Sequence, residues 1–165
     1  MGRIQKIDLE NANEEVKKIV DTHLKEGHQL TNEKLTLLHS PASFLAIEES
    51  SYALDEELAS IVGKRAADIY EYAISDENEC LVCSLYFRKL LKSEGIDIAT
   101  FELTDDEKLL VEFGRALAKD PKHIPDELKD RMQKRYNDRE FVVIISMGIM
   151  MLANNYFNEI AEVDA

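Results

Sequence analysis

The chain holds two cysteines, Cys80 and Cys83, three positions apart. On a helix, residues i and i+3 share a face, so two such sulfurs can meet in a disulfide. In a reducing compartment this spacing reads as redox-active or metal-binding rather than as a structural staple. A helix starting at Cys80 would place both thiols at its positive end, which favours thiolate over thiol. Asp76, Glu77 and Glu79 crowd the same end and act in the opposite direction. The same two residues can instead pack as small apolar side chains. Asp68, upstream, lies at the edge of an apolar arc that includes Ile61 and Tyr72. There it can accept a proton from a neighbouring dithiol or pair with Lys64 four positions back. Zinc is not expected, because no second CxxC follows and His23, His28, His39 and His123 show no ligand spacing.

Helices must position these groups. Val16, Ile19, Val20 and Leu24 repeat at helical spacing between Asn13, a cap, and Gly27, a stop. Thr31 opens a short helix through Leu38. Ser40-Pro41 is a cap with proline at the first helical position, predicting a helix over 41–52. Leu58, Ile61, Val62, Ile69, Tyr72 and Ala73 predict a fourth over 55–75. The fifth runs from near Glu79 to Gly95, with Cys80, Cys83, Phe87 and Leu91 on one face. Thr104 to Glu107 has capping-box form and leads a helix carrying Leu109, Leu110, Phe113 and Leu117. A seventh spans 126–136, and the last runs from Asn137 to about Ala161. No stretch alternates with period two, so the expectation is an all-α bundle of about seven to eight helices.

The last helix is apolar nearly all round over Phe141–Leu152. It is expected at the centre of the bundle or shared with a second subunit. Met147, Met150 and Met151 in it read as adaptable filler.

A length of 165 residues fits one domain, and no linker rich in Gly, Pro or Ser divides it. The net charge of −13 argues against a nucleic-acid surface and against docking to anionic lipid. The most apolar run, 141–153, falls short of the roughly 20 residues a membrane span needs. No signal peptide is visible, so a cytoplasmic protein without a membrane partner is expected. No glycine-rich phosphate loop, haem or flavin signature occurs, and no cofactor is implied.

The segment from Asp68 through Cys80-Leu-Val-Cys83 resembles the signature of the alkylhydroperoxidase D-like, carboxymuconolactone decarboxylase superfamily. That signature is Glu, eleven residues, Cys, two residues, Cys, three residues, His. Asp68 stands in the carboxylate position, both cysteines match, and Phe87 stands in the histidine position. The similarity runs over about 35–163, including Asn154-Asn155-Tyr156-Phe157 in the last helix, and leaves 1–30 as an N-terminal helical extension.

The resemblance implies a homo-oligomer (dimer, trimer or hexamer) that takes a peroxide or disulfide substrate and an unidentified thiol reductant. One thiolate attacks the peroxide, the sulfenic acid condenses with the other cysteine, and the reductant reopens the disulfide. Cys83 is the expected attacker, since the family's histidine follows it by one turn. Helix-dipole logic alone selects Cys80. With Phe87 unable to accept a proton, activation falls to Asp68, the helix dipole, Tyr86, Tyr72 or His39. The expected function is a thiol–disulfide oxidoreductase with weak peroxidase activity. The alternatives are a lyase, or another non-redox enzyme, on the same fold and a non-catalytic oligomeric protein.

Overall fold

Short polar side chains decide where most helices begin. The structure, a computed structural model, describes residues 2–165. Asn13 accepts from the Val16 amide at 2.9 Å and opens α1, Glu14–Lys25. Thr31 opens α2, Asn32–Leu37. Ser40 caps α3, Pro41–Phe44, with Pro41 in its first turn. A π-helical turn, Leu45–Glu49, carries α3 without a break into α4, Ser50–Val62. Then come α5, Lys64–Glu77, α6, Leu81–Ser93, α7, Asp105–Lys119, α8, Asp126–Arg135, and α9, Asp138–Ala161. Reciprocal capping boxes, Thr104 with Glu107 and Asn137 with Glu140, open α7 and α9. With 41–62 taken as one rod, the described residues form eight helices and no strand.

The break expected near residue 53 lies instead at Gly63. Ala53 and Leu54 offer no reason to stop a helix, whereas Gly63 holds φ +88°, a conformation that favours glycine. The chain turns there, ending α4 and starting α5.

The helix enclosed on all sides is α5, not the last one. Every residue from Ala66 to Ser75 is buried, among α4, α6, α7 and α9. Tyr70 sits at the centre, fully buried, and its hydroxyl donates to the Ile144 carbonyl at 2.9 Å. Gly114 of α7 and Gly148 of α9 let those helices close on the Tyr70 ring; a Cβ on Gly148 would lie 2.5 Å from its oxygen. Phe113 and Phe141 meet edge to face at 5.3 Å in the same core. Burying a side chain such as Phe113 stabilises the fold by about 1.5–3 kcal/mol.

One side of α9 faces this core, through Phe141, Ile144, Met147 and Met151. The other is open: Val142, Ile145, Ile149, Tyr156 and Ile160 form one exposed stripe. By length and composition α9 is the one helix among the described residues that could cross a membrane; here it packs against α4, α5 and α7. A smaller cluster, Val16, Val20, Leu37, Leu38 and Phe44, ties α1 and α2 to α3.

Candidate active site

The α5–α6 turn sets the cysteine geometry. Asn78 ends α5, Glu79 takes φ +56°, and Cys80 is extended, so α6 begins at Leu81 with Cys80 as its cap. The Cys83 amide donates to Cys80 Sγ at 3.5 Å. A sulfur thereby occupies the position usually held by a Ser or Asp oxygen. Cys80 and Cys83 are free thiols, 4% and 6% exposed, and Phe87 and Leu91 continue their buried face.

The acidity of each thiol depends on the other. A hydrogen bond from the Cys83 thiol brings the Cys80 thiol down to about 7, against the opposing effect of burial. The Cys83 amide and the Asn158 side chain add to the lowering. The Cys83 thiol is pushed up, first by its donation to Cys80, then by burial and by the charge on Cys80. The pair therefore loses one proton near neutrality and keeps the other. Asn158 of α9, buried, donates from Nδ2 to Cys83 Sγ at 3.2 Å.

The acidic run before α6 is largely offset. Asp76 accepts from the Tyr72 hydroxyl at 3.0 Å and from Arg88 at 3.2 Å, and Arg115 lies 4.0 Å from Glu77. This clamp occupies Tyr72, which lines a separate surface pocket with Arg88 and Lys92.

Cys83, not Cys80, opens onto a cavity of about 170 Å³. Asp68, Tyr86 and Phe87 line the same cavity. Asp68 is 1% exposed and accepts from Lys64, so burial and pairing coincide in the one carboxylate. Burial raises its pKa, and the Lys64 ammonium works against that rise. The His39 expectation is corrected by position. His39 is exposed, bonded through Nε2 to the Gln5 carbonyl at 2.7 Å, and does not line the cavity. Tyr72 is likewise outside it. Residues far apart in the chain thus gather Cys83, Asp68, Tyr86 and Phe87, with Cys80 behind Cys83.

Five further acidic or phenolic groups line the cavity: Glu33, Glu48, Tyr52, Asp55 and Glu71. Glu71, one turn beyond Asp68, is 4% exposed; burial among Asp55 and Asp68 raises its carboxyl well above the usual range. Glu33 of α2 is raised to about 7 by burial, with the Asn158 amide pulling it the other way. Glu48, in the π turn, accepts from the Tyr52 hydroxyl at 2.6 Å and pairs with Lys34 at 2.9 Å. Asn154 lines the far wall. The sequence carried a signal for some of these: Glu71 falls amid apolar neighbours, and Asn154, Asn155 and Asn158 interrupt an apolar helix. Glu33 and Glu48 carried none.

Among the described residues, no group of three or more His, Cys, Asp or Glu could hold a metal ion. No family model, no curated protein and no solved structure matches the chain.

Proposed function

We propose that the chain is a cytoplasmic thiol–disulfide oxidoreductase of the alkylhydroperoxidase D-like kind, cycling Cys80 and Cys83 between dithiol and disulfide. One observation carries the reading: the Cys83 amide donates to Cys80 Sγ while Cys83 itself opens onto the cavity, and the neighbouring Cys83 thiol brings Cys80 down to about 7. Buried cysteines that merely pack have raised pKa values and no such donors.

The pair divides the labour between acidity and access. Cys80 carries the charge at rest, and Cys83 faces the cavity. Moving the proton from Cys83 to Cys80 places the thiolate where a substrate can reach it. With a disulfide RSSR, the Cys83 thiolate forms a mixed disulfide and releases one RS⁻. Cys80 then displaces the second, and the protein disulfide is left with two RSH formed. With a peroxide ROOH, Cys83 takes the outer oxygen and ROH leaves. Cys80 then attacks the sulfenic sulfur and water leaves. A thiol reductant supplies two electrons to reopen the bond.

Glu33 replaces the family's histidine in this reading. With a pKa of about 7 it keeps its proton about half the time at neutrality, and Asn158 connects it to Cys83. An acid so placed protonates the leaving group. It does not stand one turn after Cys83, where Phe87 leaves no base to assist attack on a peroxide, so peroxidase activity is low beside disulfide exchange. The lyase alternative acts on a small organic acid, and the carboxylates around the cavity disfavour an anionic substrate. The exposed stripe of α9 supports assembly with further copies of the chain.

The test is disulfide formation itself. The reduced protein is exposed to a small excess of organic hydroperoxide or disulfide, quenched with an alkylating agent, and weighed. Loss of two hydrogens in wild type, with an adduct trapped at Cys83 in a Cys80→Ser variant, is expected. Thiols that persist and alkylate no faster than free cysteine would sink the proposal.

A further inference from the structure

The cavity beside Cys83 has an unbalanced set of polar groups. Five carboxyl side chains line it, Glu33, Glu48, Asp55, Asp68 and Glu71, against Lys34 and Lys64. Both lysines are engaged, Lys34 with Glu48 and Tyr52, and Lys64 with Asp68. The atoms without partners are all acceptors: Glu33 Oε1, Asp68 Oδ2, Glu71 Oε1 and Asn154 Oδ1 are buried and receive no hydrogen bond from the protein. Asp68 and Glu71, at 1% and 4% exposure, are the two most deeply enclosed. A buried acceptor left unmet costs free energy, and native structures supply it with a donor. Four of them facing one cavity call for a ligand rich in N–H. The carboxylates additionally select positive charge and repel negative charge.

Size narrows the class. An apolar cavity of about 150 Å³ admits benzene, so about 170 Å³ holds a chain of some six heavy atoms. The groups that could ligate a metal are not clustered for it. The remaining class is a short organic ammonium.

We propose that this cavity binds a small ammonium-bearing molecule, its N–H groups meeting Asp68, Glu71 and Glu33, with its far end at Cys83. Resting on the dithiol reading, the substrate class is then an aminothiol disulfide. The ammonium sits among the carboxylates and the S–S bond reaches Cys83. The Cys83 thiolate displaces one aminothiol, Cys80 displaces the other, and two electrons pass from the protein dithiol to the substrate. Val82, Phe87 and Leu90 supply an apolar wall along the methylene stem.

Two measurements separate the ligand class from the redox reading. The first is calorimetric titration of the reduced wild-type chain with butane-1,4-diamine and with butane-1,4-diol, neither of which can oxidise a thiol. The diamine is expected to bind at least tenfold more tightly than the diol. Glu71→Gln and Asp68→Asn, which keep side-chain volume, should each reduce that preference severalfold while leaving the circular dichroism spectrum unchanged. Equal binding of diamine and diol, or a preference untouched by both variants, overturns the ammonium site.

The second is the rate of Cys80–Cys83 disulfide formation with cystamine, bis(2-hydroxyethyl) disulfide and dithiodiglycolate. Each rate is normalised to oxidation of free dithiothreitol by the same compound. Cystamine is expected to lead the neutral disulfide by tenfold or more, and the anionic one to trail it. Equal normalised rates would keep the dithiol reading and overturn the substrate class. Diamine binding without oxidation by any of the three would keep the ammonium site and overturn the dithiol reading.

Discussion

Replacing Cys83 with alanine should raise the Cys80 thiol pKa from about 7 to 9 or above. The Cys83 thiol is the largest cause of the lowering, and burial, the main opposing effect, stays in place. The α6 amide remains at the sulfur, and so does α9 behind it, which limits the rise. A shift of two units changes the thiolate fraction at pH 7 from about one half to about 1%, roughly fiftyfold. The less acidic thiolate is also the better nucleophile. With a Brønsted coefficient of about 0.4–0.5, it gains about six- to tenfold. The net rate at pH 7 therefore falls only about five- to eightfold, and the midpoint of the pH profile is the sharper readout. Alkylation by iodoacetamide, followed by mass at each pH, gives that midpoint for Cys80 alone in the variant. Cys80→Ala provides the converse: the thiol left at position 83 should titrate above 9, because burial persists without the neighbouring charge. A midpoint near 7 in Cys83→Ala would refute the coupling of the two thiols, and helix-end electrostatics would then be the whole cause.

Phe87→His should raise the rate of peroxide consumption by about 10²-fold, since it adds a base one turn after Cys83; a peroxidase assay showing no gain would remove proton transfer as the limiting factor. Gly148→Ala should destabilise the fold by about 1–3 kcal/mol in urea unfolding, because the added methyl meets the Tyr70 hydroxyl and Leu117 in a filled core. Stability should fall as pH rises from about 4.5 to 7. Glu33 titrates from 4.5 up to about 7 on folding, and Asp68 and Glu71 are raised as well, so in that window the folded chain keeps protons the unfolded chain has released. Each such group contributes a slope of up to about 1.4 kcal/mol per pH unit, and Glu33→Gln should flatten the urea-derived curve. Ile149→Glu, on the exposed stripe of α9, should shift sedimentation toward the monomer while leaving helicity intact.

Helix starts were legible because their causes are local. Asn13, Thr31, Ser40, Thr104 and Asn137 each bind an amide three residues on, and each was readable as a cap. The Cys80 start belongs with them. The depth of α5 was not legible. Asp68 read as the edge of an apolar arc, open either to a proton-accepting role or to pairing with Lys64, and the apolar neighbours of Glu71 signalled burial without saying what would cover it. What buries them is remote: Gly63 folds α4 back, α7 and α9 close over Tyr70 through Gly114 and Gly148, and α2 brings Glu33 to the same space. For the same reason the all-round apolar pattern of α9 left two places open for it, the centre of the bundle or an interface with a second subunit. Its apolar residues go all round, yet its neighbours cover only one side. The position of His39 depended on Gln5, a residue with no motif to announce it.

The cavity joins two requirements that conflict at first sight. A thiolate needs positive surroundings, yet carboxyl groups crowd the wall beside Cys83. Fixed negative charge there would drive the thiol pKa up. The conflict eases because burial keeps these carboxyls protonated to higher pH, as the raised Glu33, Asp68 and Glu71 show. A neutral carboxyl adds little repulsion and can donate. The thiolate is meanwhile held away from them, on Cys80, behind Cys83 and against the α6 amide. An arriving cation reverses both settings. It favours ionised carboxylates, which give up protons that a departing thiolate needs. It also compensates the charge that must move onto Cys83. In the proposed reading, substrate binding, proton supply and thiolate transfer are then one electrostatic event, and Phe87 in place of a histidine does not prevent the buried dithiol from acting as a nucleophile.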